Sequence, residues 1–180
     1  YKRQPSPSPT NTPPPPPTLT PTHTLTPTPR PEGIFSFSAL ANGRYQTHVY
    51  DLANSASTPL YIHDGVVDAD IQPADHRLAY RWADSGRGGI WRMDLDGGYQ
   101  TMLTGFVEDR APQWSADGTG IFFSSTRDGD PNTHRVFRIN AAGGDELRMP
   151  IVGRDPAELA GGQLLFAGRL TYSPGACGII

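Results

Sequence analysis

The side chains of this 180-residue chain best suited to chemistry are acidic, and they fall into two groups. In the first, Asp128-Gly129-Asp130-Pro131-Asn132 sets oxygens at alternate positions, as a calcium loop does around its ion. The glycine at the sixth position and the glutamate at the twelfth are missing, so a plain hairpin connection is the expectation. In the second group, Asp68 and Asp70, then Glu108 and Asp109, then Asp155 recur along the chain. Carboxylates gathered at one mouth would hold a cation or a basic peptide; solvation and local hydrogen bonding are the plainer reading. His48, His63, His76 and His134 have neither paired nor i, i+4 spacing, which argues against a metal site. Ser85-Gly86-Arg87-Gly88-Gly89 precedes a strand, whereas a phosphate cradle opens a helix. There is no Gly-x-Ser-x-Gly elbow, and no nucleophile has an identifiable base partner. Neither a catalytic residue nor a cofactor nor a metal ligand set is expected.

Composition says what must position these groups. Of 19 prolines, 12 lie between Pro5 and Pro31, alternating with Ser and Thr. Leu19 and Leu25 are the only large aliphatic residues there, too few to offset the entropy of ordering the segment. Residues 1–32 therefore read as a disordered stalk or linker, favouring polyproline II and reaching roughly 80 Å if fully extended. The sequence lacks a basic head with an apolar segment at its start and begins at Tyr1. The expectation is a piece of a longer protein, cut at both ends, with any anchor upstream. No apolar run is long enough to span a bilayer. The formal net charge of −3, without a Lys/Arg block, argues against nucleic acid as a partner. Cys177 is the only cysteine, so no disulfide framework is expected.

From Gly33 onward short apolar runs repeat. Ile34-Phe35-Ser36-Phe37-Ser38, Leu78-Ala79-Tyr80-Arg81-Trp82, Ile121-Phe122-Phe123-Ser124-Ser125 and Leu164-Leu165-Phe166-Ala167-Gly168 start 44, 43 and 43 residues apart. A second strand follows the first three, ending at Asp51, Asp94 and Asn140; two run into Gly97-Gly98 and Gly143-Gly144, where a tight turn needs positive φ. Such a period, with no helical spacing, marks the blades of a β-propeller. The expected fold is all-β, a partial propeller of three to four four-stranded antiparallel blades, at about residues 33–62, 66–104, 109–150 and 154–180. Blades are covered on both faces, which explains the continuous apolar runs and makes Trp82, Trp91 and Trp114 core residues.

Ala111-Pro112-Gln113-Trp114-Ser115-Ala116-Asp117-Gly118, with the strand Ile121–Ser125 and Arg127-Asp128-Gly129 after it, resembles the TolB-type (WD40-like) propeller repeat. Trp114, Asp117, Gly118, Asp94 and Gly97 are the structural residues of that repeat. The second blade departs from it at Ile71, where Trp is expected, and at His76 in place of Gly; in the fourth, Leu159 takes the Trp position. The resemblance implies a propeller of about six to eight blades, usually outside the bacterial cytoplasm, that binds or scaffolds. It implies that the remaining blades lie beyond Ile180. The expected function is a non-catalytic extracytoplasmic module, tethered through the stalk, that binds a protein, a peptide or a cell-envelope component. Asp68, Asp70, Glu108, Asp109 and Asp155 are the candidate ligand-facing residues. A sensor or scaffold propeller of a surface protein such as a receptor-type Ser/Thr kinase fits this architecture. The alternatives are the propeller of a prolyl-oligopeptidase-like serine peptidase, which needs a hydrolase domain downstream, and a structural cell-surface or adhesion repeat.

Overall fold

The computed structural model describes residues 2–4, 33–53, 61–83, 86–159, 161–168 and 178–179, and the strands belong to one compact unit, Pro31–Ile180. The Pro/Thr tract and Cys177 lie outside the described residues. Among those described there are only strands, no helix, all paired antiparallel to their sequence neighbours. The expected partial β-propeller is the observed architecture.

Blade 1 contains β1 (Ile34–Ala41), β2 (Arg44–Asp51) and β3 (Tyr61–Asp64). Blade 2 contains β4 (Val66–Ile71), β5 (Leu78–Trp82), β6 (Ile90–Met93) and the short β7 (Thr101–Met102). Blade 3 contains β8 (Arg110–Trp114), β9 (Gly120–Ser125), β10 (Arg135–Asn140) and the first half of β11 (Leu147–Glu158). The second half of β11 is the inner strand of blade 4, continued by β12 (Leu164–Gly168) and β13 (Gly178–Ile179). The chain thus passes from one blade to the next inside a single strand. Glycine permits it: a Cβ on Gly153 would lie 2.6 Å from the Phe166 ring, and one on Gly168 would lie 2.5 Å from the Val152 carbonyl oxygen.

Pairing fixes the phase of the repeat. Phe35 faces Tyr50 across β1 and β2 as Leu78 faces Met93 and Ile121 faces Ile139. Phe35, not Ile34, therefore corresponds to Leu78, and Phe35, Leu78, Ile121 and Leu164 are spaced by 43 residues throughout. On the inner side Ile71, Trp114 and Glu158 pair with Leu78, Ile121 and Leu164. Glu158, rather than the expected Leu159, holds the Trp114 position.

Because strand side chains alternate, each blade has a leading face toward the preceding blade and a trailing face toward the following one. Between blades 1 and 2, Val49 packs against Val66, Leu78, Tyr80 and Met93. Between blades 2 and 3, Ala79 and Ile90 meet Trp114, Ile121, Phe123, Phe137 and Ile139. Between blades 3 and 4, Phe122, Val136 and Ile151 meet Leu164 and Phe166. Large residues on a leading face thus sit on a mostly smaller trailing face. Trp114 is buried as expected, while Trp82 and Trp91 are partly buried beside the first of these clusters.

The repeat residues close the turns. Asp94 and Asn140 each accept from a glycine N–H three residues on, at 3.0 Å, and those glycines, Gly97 and Gly143, have φ of 87° and 88°. Asp117 accepts from the Ser115 hydroxyl and from the Thr119 N–H, which draws its pKa down to about 2. At the β8–β9 turn Gly118 has φ of 70°, and in blade 2 His76 supplies the same left-handed conformation at 54°.

Candidate recognition site

The inner strands β4, β8 and the second half of β11 lie side by side, so what they present gathers on the channel side of the propeller. Each inner strand is broken by a bulge, between Val67 and Asp70, Arg110 and Gln113, and Arg154 and Ala157. At the same place in each bulge a residue with a Cβ takes the left-handed conformation: Asp68 at φ 51°, Ala111 at 48° and Asp155 at 53°. Each such placement costs on the order of 1 kcal/mol, and a bulge turns its side chain out of the pleat. The three bulges line a common cavity of about 310 Å³, together with Pro112, Gln113 and Pro156. The Asp68 and Asp155 carboxylates are exposed there, one on either side of Ala111.

Behind this rim, acidic side chains bind blade to blade. Asp70 accepts the Trp114 N–H at 2.7 Å and Glu158 accepts the Ala116 N–H at 2.7 Å. Gln72 Nε2 donates to the Gly118 carbonyl at 2.8 Å. Burial pushes the Asp70 pKa up, and the Trp114 N–H draws it partly back.

The five acidic candidates therefore separate. Asp68 and Asp155 line the cavity, whereas Asp70 is engaged between β4 and β8 with the Trp114 N–H and the Gln113 side chain. Glu108 forms an ion pair with Arg110. Asp109 is fully buried, accepting from the Thr104 hydroxyl and the Arg127 guanidinium, and burial raises its pKa. It is a strut between blades 2 and 3, because the residue in register with Asp68 is Ala111. The Asp128–Asn132 loop spends its carboxylates locally: Asp128 on Arg135 and Arg148 at 3.2 and 2.7 Å, and Asp130 on Thr133 and the Asn132 N–H. Among the described residues no group of three or more His, Cys, Asp or Glu is placed to hold a metal ion.

Ala111, Pro112 and Gln113 were not among the sequence candidates. Their signal is the pair Ala111-Pro112 and Asp155-Pro156: proline has no N–H to lend to a ladder and is tolerated at bulges. The resulting surface has two exposed acceptor groups on a rigid apolar rim.

No family model matches the chain, and no curated protein matches it. Solved structures do. TolB from Acinetobacter baumannii superposes with a TM-score of 0.64 at 15% identity, over 82% of this chain and 41% of that one. A putative TolB from Agrobacterium tumefaciens gives 0.61 at 21% identity, over 74% and 49%. A structure of a nidogen/laminin complex gives 0.56 at 11% identity, over 83% and 61%. The chain thus spans between 41 and 61% of these solved chains. The likeness is one of fold, and the fold is a partial β-propeller.

Proposed function

We propose that this propeller is a non-catalytic recognition module that seats a basic segment of a protein or peptide on its channel side, between Asp68 and Asp155. The observation that carries the reading is the bulge repeated in register on three inner strands, each holding a residue with a Cβ at positive φ beside one cavity. Backbone strain repeated at one spot is maintained where it presents side chains or backbone for contact. The exposed carboxylates favour a lysine or arginine, and Ala111, Pro112 and Pro156 offer apolar contact to the stem of such a side chain.

The setting in this reading is extracytoplasmic. The Pro/Thr-rich segment supports it as a tether, and residues 33–180 form the domain that it carries. The nidogen/laminin likeness is compatible with a protein partner through the fold alone.

The test is calorimetric titration of the full chain with a set of short peptides matched in length and varied in charge. Basic peptides should bind, with affinity falling as salt rises. Asp68→Ala with Asp155→Ala should weaken the best of them about tenfold, roughly 1.4 kcal/mol. Equal binding of acidic and basic peptides, or binding indifferent to the double substitution, would overturn the proposal.

A further inference from the structure

The consecutive residues Arg154 and Asp155, at the β11 bulge, border two cavities of opposite character. Asp155 lines the channel-side cavity with Asp68. Arg154 lines a second cavity, of about 580 Å³, between the β9–β10 connection and the strand that crosses from blade 3 to blade 4. Pro131 to His134 form one wall, and Val152 to Arg154 with Ala167 and Gly168 form the other. The route of the chain leaves this space open. Between blades 2 and 3 the connection folds onto the β5–β6 loop: a Cβ on Gly88 would lie 2.5 Å from the Val107 Cα, and one on Gly89 would lie 2.0 Å from the Thr104 carbonyl oxygen. Between blades 3 and 4 the strand β11 is continuous, so there is no connecting loop to fold onto β9–β10 in the same way.

Among the described residues no carboxylate lines this second cavity. The acids of the adjoining loop are engaged elsewhere: Asp128 with Arg135 and Arg148, Asp130 with Thr133 and the Asn132 N–H. Arg154 is exposed, and among the described residues its guanidinium has neither an ion pair nor a hydrogen bond. A guanidinium presents a planar fork of donors that matches a carboxylate. Asn132 brings an amide to the same cavity. One cavity thus suits a cation and its neighbour suits a carboxylate. Resting on the channel-side reading, we infer that the segment seated there carries an acidic residue close to its basic one, and that the acidic side chain enters the cavity of Arg154. The spacing of the two charges follows from the fold. Consecutive Cα atoms lie about 3.8 Å apart, and an extended segment advances about 3.3 Å per residue, so the ligand's two charges stand within a few residues of each other.

Calorimetric titration of the full chain with peptides of one length tests it. The parent peptide has a single central lysine among uncharged residues. In a series, one glutamate stands one, two or three residues to either side of that lysine; in a control peptide it stands at the far end. At least one member of the series should bind about fivefold tighter than the parent, the scale of a well-formed exposed ion pair. Arg154→Gln, at an exposed position and checked for folding by circular dichroism, should abolish that gain. The same variant should not weaken the parent peptide, because it removes a positive charge beside Asp155. The two changes form a double-mutant cycle, so the coupling belongs to the pair. No gain at any position would overturn the inference and leave the channel-side reading standing, as would a gain that survives Arg154→Gln. An equal gain in the control would overturn it too, by showing attraction to net charge alone. A chain that binds neither the parent nor the series overturns the channel-side reading itself.

Discussion

Blade 1 and blade 3 present the same strand positions on their leading faces, and among the described residues only one of those faces is covered by another blade. Phe123 and Phe137 stack at 5.6 Å beneath blade 2, with Phe123 fully buried and Phe137 nearly so. Phe37 and His48 stack at 5.3 Å at the same positions in blade 1, and Phe37 remains 43% exposed. The strands, the pairing and the side-chain class are alike. What differs is the neighbour, so burial in a propeller is a property of the junction and not of the blade. The blade 2–blade 3 junction also has a polar lock: Arg127 lies over the Phe123 and Phe137 rings, 5.1 Å from each, and bridges Asp109 and Glu146.

The largest expected effect breaks the comparison at its apolar core. Phe123→Ala should cost about 3–5 kcal/mol, the usual range for emptying a buried aromatic site. Phe37→Ala, at a ring that is 43% exposed, should cost less than about 1 kcal/mol. Urea midpoints for the two variants give the contrast directly. Equal losses would mean that the blade 1 face is already covered within one chain.

Next in size is the lock. Arg127→Met leaves the Asp109 carboxylate buried with neutral hydroxyls, those of Thr104 and Ser125, as its partners, and should cost about 3 kcal/mol, the lower end for breaking a buried pair. Adding Asp109→Leu should recover most of that loss, because the unpaired charge is then gone. A double variant no more stable than Arg127→Met would show that the pair acts through packing against the rings. Blade 1 has no counterpart of this lock on its exposed leading face among the described residues, so amides of β1 and β2 should exchange faster than those of β9 and β10.

The sequence was most legible where physics repeats it. Covered strands read as apolar runs, and the spacing of Leu78, Ile121 and Leu164 gave the blade period without any contact being known. The phase of blade 1 was not legible. Ile34-Phe35-Ser36-Phe37-Ser38 alternates, and alternation alone does not say which of its two faces a neighbour covers, so the repeat was set one residue early. The bulges were hidden for a different reason: Asp68, Ala111 and Asp155 share a backbone conformation and no side-chain chemistry. Asp109 looked like its acidic neighbours because its partner, Arg127, lies 18 residues away and is brought near only by the return of the chain through β9.

The smallest expected effect concerns the junction that anchors blade 1. His63, in β3, meets the Leu95 carbonyl of blade 2 at 2.9 Å through Nε2, which must carry the proton to donate. Burial holds its pKa below 6.5, against the Leu95 carbonyl and Asp96, which pull it up. Below pH 6.5 the unfolded chain therefore binds protons that the folded chain does not. The stability tied to neutral His63 is present above that pH and is lost as pH falls toward the lowered folded value. Exchange measured at neutrality and near pH ~5 should show β1 and β2 opening more readily in acid, while β9 and β10 change less. His63→Gln, which keeps a donor for Leu95 and does not titrate, should flatten that response. If acid loosens blade 3 as much as blade 1, or the glutamine variant responds like the parent, His63 is not what makes the first junction sensitive to acid.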